Sequence, residues 1–139
     1  MPETQEFASW TMVHESPIHG RVLEIALAGS QSQEVSSRGR KILVDEVARI
    51  RPQYLVINLL EFNSVFGNDL LGALVAGAVS MRELGTERET RILAVGRTAA
   101  TLDRILPIAR LESVFGGRTY SDLESALRKS CSESGESTV

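Results

Sequence analysis

The sequence predicts an α/β fold: a mixed, mostly parallel β-sheet entered through an N-terminal β-hairpin and covered by about four α-helices. Three observations predict it. Two strand-forming runs flank a turn near the start of the chain, two short and almost wholly apolar runs follow, and stretches of helical periodicity separate these segments. With 139 residues, 42% of them apolar and 24% charged, the chain is long enough to bury one sizeable core without metals or cross-links.

The elements follow in order. Residues 9–16 and 21–28 are rich in strand formers, and Pro17-Ile18-His19-Gly20 between them has turn chemistry, which together read as an antiparallel hairpin. After Gly29, a polar stretch leads into a helix reaching about Arg51, with Leu43, Val47 and Ile50 on its core face and Pro52 forbidding continuation. Tyr54–Leu59 is apolar without alternation and suits a central strand buried on both faces. A second helix starts at Asn68 or Asp69 and ends at Leu84 before Gly85. Its residues Gly72, Ala73, Ala76, Gly77 and Ser80 leave one side nearly bare, so its backbone should lie close to a neighbouring element.

Residues 91–95 read as another buried strand, and 98–106 as a short helix capped by Thr98 and closed by Pro107. Ile108 to Phe115 should then return the chain to the sheet edge. Ser121-Asp122-Leu123-Glu124 has the spacing of a capping box for a last helix. The expected organisation is an N-terminal extension, 1–8, one domain, 9–129, and a disordered polar tail, 130–139.

Composition excludes several function classes. A net charge of −3, with Arg38, Arg40 and Lys41 as the only basic knot, is not the electrostatic footprint of a nucleic-acid binder. The single cysteine, Cys131, excludes an intramolecular disulfide framework and fits a reducing compartment. Residues 1–6 carry neither a basic region nor an apolar run, so no secretory signal is expected, and the longest apolar run, Leu70–Met81, is too short to span a bilayer. A cytoplasmic protein without membrane contact is the expectation.

Chemistry is equally constrained. The two histidines, His14 and His19, lie on or beside the first turn with no cluster at ligand spacing, so neither a metal nor a cofactor is expected. There is no Gly-x-Ser-x-Gly elbow, and Gly116-Gly117-Arg118-Thr119 lacks both the spacing and the lysine of a phosphate loop. Asn58 stands where a phospho-receiver would carry a carboxylate. The chain is therefore not expected to be an enzyme.

The connection after the central strand stands out. Leu60-Glu61-Phe62-Asn63-Ser64-Val65-Phe66-Gly67 places four large apolar residues in a segment that is ordinarily polar, and exposed apolar patches mark partner surfaces. Asn68 or Gly67 would cap the following helix, and Asp69 places a negative charge where the helix dipole favours one.

The order of a buried strand, a loop closing on a small-residue helix (Asn68–Gly77), a second apolar strand (Ile92–Val95), Leu102-x-x-Ile105, Leu111-x-x-Val114-Phe115 and Ser121–Leu127 resembles the STAS domain of the bacterial anti-sigma factor antagonists. The resemblance covers most of residues 10–128 and implies a single STAS-like domain that acts in signal transduction and transcription regulation through protein–protein contacts. It implies as partner a kinase-type anti-sigma factor or another STAS protein. In that family a serine at the start of the helix after the central strand is phosphorylated, and the place reads Asp-Ser-Ser-Gly before Leu-Gly. Here, aligned on Leu70, it reads Phe66-Gly67-Asn68-Asp69, so Asn68 holds the phospho-acceptor position and carries no hydroxyl. The resemblance thus implies a module not switched by phosphorylation at the usual site, with Leu60, Phe62, Ser64, Val65, Phe66, Asn68, Asp69 and Leu71 as its partner-binding residues.

An alternative reading is a small-ligand or nucleotide sensor, with an anion held by Gly96, Arg97 and Thr98 at a strand-to-helix turn. A homodimer, formed through the Trp10–Val13 strand or through the apolar connection, is a further expectation.

Overall fold

In the computed structural model, residues 8–29, 32–62, 68–85, 87–111, 114–116 and 118–127 are described, with 32–36 and 68–70 described as backbone. The expected extension before Ala8 and the polar tail lie outside these residues. The elements are β1 (Ala8–Ser16), β2 (Gly20–Ala28), α1 (Ser32–Ile50), β3 (Tyr54–Asn58), α2 (Asn68–Leu84), β4 (Glu89–Leu93) and α3 (Gly96–Ile108), followed by a short helix α4 over 123–127.

The first two strands form the expected hairpin. Ser16 Oγ accepts hydrogen bonds from the backbone N–H of Ile18 and His19, at 3.2 and 3.0 Å, and so builds the turn from the side chain that precedes it. Gly20 closes the turn at φ 80, a left-handed conformation that a side chain would strain. From there the sheet runs in the order β1-β2-β3-β4, with β1 antiparallel to β2 and the remaining pairs parallel. Parallel neighbours need a helical crossover, which α1 and α2 provide.

One face of the sheet carries the larger core. Leu23, Ile25, Leu27, Leu55, Ile57 and Ile92 from the strands meet Leu43 and Val47 of α1, Leu74 and Met81 of α2, and Leu102 and Leu106 of α3. Gly77 lets α2 sit close down: a Cβ there would lie 3.3 Å from Leu55 and 3.5 Å from Leu43. The bare side of α2 is thus turned partly to the sheet, as its small residues predicted. On the opposite face Val22, Val56 and Leu93 pack beneath Tyr120 and Ala126.

Several boundaries differ from the sequence reading. β4 begins at Glu89 rather than 91, because Tyr54 pairs with Glu89 and the ladder continues through Gln53, whose carbonyl accepts the Glu89 N–H at 3.1 Å. Pro107 lies inside the last turn of α3 and does not close it. Arg110 does, at φ 60, with its N–H on the Pro107 carbonyl and the Leu111 N–H on the Leu106 carbonyl, a Schellman closure. The return to the sheet edge occurs at Tyr120, which bridges Leu93, and not at the described residues of 108–115. The cap of α4 is Asp122, whose Oδ1 accepts the Ser125 N–H at 2.7 Å, one residue beyond the Ser121 expected to cap this helix.

Candidate functional site

Because β2, β3 and β4 are parallel, their carboxyl ends lie at one end of the sheet. The segments leaving them, at Gly29, at Leu59 and at Ala94, therefore gather there, as do the first residues of α2 and α3. Both candidate sites read from the sequence fall at this end.

The base of the 60–67 connection is built by Asn58. Its Oδ1 accepts the Leu60 N–H at 2.9 Å, a side-chain turn, while its Nδ2 donates to Glu24 Oε2 at 2.8 Å. Glu24 Oε1 in turn lies 2.9 Å from His14 Nε2. This chain of polar contacts ties β1, β2 and β3 to the start of the connection. Sequence reasoning missed it, although a lone glutamate within Val22-Leu23-Glu24-Ile25-Ala26-Leu27 and an asparagine ending a buried strand are its signals.

Asn58→Ala is expected to lower stability by about 1–2 kcal/mol, through the unpaired Leu60 N–H and the lost Glu24 contact. Asn58→Asp, of equal size, is expected to cost more at neutral pH, since two carboxylates would then face each other. Urea unfolding of both variants checks the order; a smaller loss for aspartate than for alanine would contradict it.

The connection then turns inward. The Phe62 N–H donates to the Leu59 carbonyl at 3.1 Å, and Phe62 makes a parallel bridge to Gly29, which brings its ring into the larger core with only 4% exposure. The sequence reading placed Phe62 on the partner surface; the bridge to Gly29, a contact far away in sequence, removes it from that surface. Leu60 is half-buried and packs on the smaller core, and Leu71 is half-buried against the larger one. Asn68 and Asp69 are the first two residues of α2. Ser64, Val65 and Phe66 lie outside the described residues. The outward side of α2 carries Val79 at 50% exposure, with Val75 and Ala76 half-buried beside it.

The second candidate, Gly96, Arg97 and Thr98, forms the first three residues of α3. α3 starts at Gly96 at φ 62, so Thr98 lies within the helix and does not cap it; the N-cap residue, Val95, has no side-chain acceptor. A hollow of about 470 Å³ adjoins this helix start, lined by Gly96, Arg118, Tyr120 and Ser121 among others, and neither Arg97 nor Thr98 lines it. Asp103 pins the far wall, accepting the Thr119 N–H at 2.8 Å and its hydroxyl at 3.1 Å. Among the described residues no group of three His, Cys, Asp or Glu side chains is placed to hold a metal, and no helix is long and apolar enough to cross a membrane.

A crystal structure of an anti-sigma factor antagonist from Mycobacterium paratuberculosis is similar to this chain, with a TM-score of 0.59 and 21% identity over 87% of this chain and 92% of that one. The chain has the fold of an anti-sigma factor antagonist. The STAS-type architecture that the resemblance implied is therefore present in three dimensions, with a four-stranded mixed sheet and the hairpin at its edge. A Thermus thermophilus RuvC structure overlaps more weakly, with a TM-score of 0.31 and 17% identity over 82% of this chain and 64% of that one, too low to bear on the fold. No protein-family model and no curated protein matches the sequence. In this STAS-type fold, β3 leads through the 60–67 connection into α2, whose first residue is Asn68.

Proposed function

We propose that this chain is a non-enzymatic regulatory interaction module, an anti-sigma factor antagonist-like protein of the bacterial cytoplasm. Its partner would be a kinase-type anti-sigma factor or another STAS protein. The observation that carries this reading is the likeness to an anti-sigma factor antagonist along 87% of the chain. The docking surface is the connection after β3 without Phe62, the first turn of α2 with Asp69, and the outward side of α2 around Val79.

Asn68 determines how such a surface is regulated. A phosphoserine at the start of a helix adds about −1.5 to −2 charge and three acceptor oxygens, and an amide takes up no phosphoryl group. Asp69 supplies one fixed negative charge near the same helix end. Binding is therefore constitutive with respect to this position. The small-ligand alternative has less support, since of Gly96, Arg97 and Thr98 only Gly96 lines the hollow described beside α3.

The test is titration calorimetry against purified kinase-type anti-sigma factors from the same genome, with the wild type and the Asp69→Lys, Val79→Glu double variant. One of them should bind the wild type at micromolar affinity or better, and the variant at least about tenfold more weakly, equivalent to about 1.4 kcal/mol. Val79 is 50% exposed and Asp69 lies in the first turn of α2, so circular dichroism should be unaltered. Equal affinities would remove this surface from the proposal.

A further inference from the structure

β1 pairs with β2 on one side only, and the strand order leaves its other side without a partner strand among the described residues. That side presents alternate backbone N–H and C=O groups along about 30 Å. Natural edge strands are blunted by lysine, proline, bulges or inward charges. β1 (Ala8-Ser9-Trp10-Thr11-Met12-Val13-His14-Glu15-Ser16) contains no lysine or proline, and its nine residues pair with β2 without a bulge. Its one acidic side chain, Glu15, is held 2.9 Å from Arg21 Nε. Trp10, Met12 and Val13 are 43, 49 and 42% exposed, although each lies on a strand.

The geometry points to a second copy of this chain as the occupant, its β1 antiparallel to the first and related by a two-fold axis. A two-fold axis through an antiparallel strand pair passes a residue position, and of the nine described residues of β1 only the middle one, Met12, leaves every one of them paired. That register is self-complementary. Trp10 faces His14 of the other copy, Thr11 faces Val13, and Ser9 faces Glu15, so no two like charges meet and a β-branched pair is formed. Trp10 and Met12 share one face of β1, opposite Ala26 and Glu24 of β2, so both copies of each bring their apolar surface together across the axis. The two sheets become one continuous sheet.

Sedimentation equilibrium of the full chain at about 100 μM should return twice the 15.2 kDa chain mass. Met12→Lys and Met12→Glu each set like charges together on the axis and should sediment as monomers, whereas their equimolar mixture should recover the dimer. Met12 is half-exposed, so both variants should melt close to the wild type. Should either fail to fold, Met12→Cys in a Cys131→Ser background replaces them: mild oxidation should cross-link it across the axis, and Thr11→Cys should stay uncross-linked. A monomeric wild type, a dimer that both charged variants leave intact, or a mixture that stays monomeric would overturn this assignment. Any of these could occur with partner binding at the 60–69 surface unaffected, so the two proposals fail separately.

Discussion

Phe62→Asp is expected to abolish cooperative folding, and any loss of partner binding in that variant would be a consequence of unfolding. The ring is 4% exposed within the core formed by all three long helices and the sheet. Removing a buried phenyl group costs about 3–5 kcal/mol, and a carboxylate in its place adds several more for desolvation. Natural domains are stable by about 5–15 kcal/mol in total, so the sum takes up most or all of that margin. Phe62→Leu keeps an apolar group of smaller volume and should retain the fold with a loss of about 1–2 kcal/mol. Thermal unfolding followed by circular dichroism separates these outcomes: no cooperative transition for aspartate, a lowered but sharp one for leucine. An aspartate variant that melts within a few degrees of the wild type would mean that the ring is not in the core.

Gly77→Val should cost about 2–3 kcal/mol, or roughly 6–12 °C in melting temperature for a domain of this size. A Cβ at Gly77 would already stand 3.3 Å from Leu55, 3.5 Å from Leu43 and 3.6 Å from Ile57, so alanine fits with adjustments of a few tenths of an ångström and two further methyl groups do not. Alanine gains about 1 kcal/mol of helix propensity over glycine, which offsets its crowding. Calorimetry should therefore place Gly77→Ala within about 1 kcal/mol of the wild type and valine well below both. A valine variant as stable as the wild type would show that α2 does not sit down on β3 at this point.

Much of this fold is legible in the chain because it rests on local patterns. The hairpin follows from strand formers on either side of Pro17–Gly20, α1 ends at Ile50 just before Pro52, and β3 is an unbroken apolar run ahead of the connection. The boundaries that moved depend on partners distant in sequence. Glu89 and Thr90 look like loop residues until the pairing with Tyr54 and Leu55 is known. Pro107 looks like a helix stop, yet in the last turn it forfeits little, and the chain closes the helix at Arg110. Asp122 and Ser121 are both good caps, and only the backbone path decides between them.

Of the segment read as a candidate site, the helix start was legible and the burial of its side chains less so. Asn68 at the start of α2, the helix that follows a buried strand and its connection, was readable from the hydrophobic pattern and the helix start. Phe62 was misplaced because its bridge to Gly29 joins segments 33 residues apart, which no local pattern encodes. For the same reason the hydrogen bonds from His14 through Glu24 to Asn58 could not be read: each residue is unremarkable alone, and only the sheet register sets them side by side.

In the proposed function an amide, Asn68, stands at the acceptor position of the interaction surface. The most direct test of that function is to incubate the chain, and Asn68→Ser beside it, with the kinase-type anti-sigma factor that binds it, with and without ATP, and to measure affinity and phosphate incorporation together. The wild type should bind equally well in both conditions and take up no phosphate, while Asn68→Ser should take up phosphate and change its affinity when ATP is present. Phosphate on Ser64 of the wild type accompanied by ATP-dependent release, or no binding of the wild type to any such kinase, would contradict it.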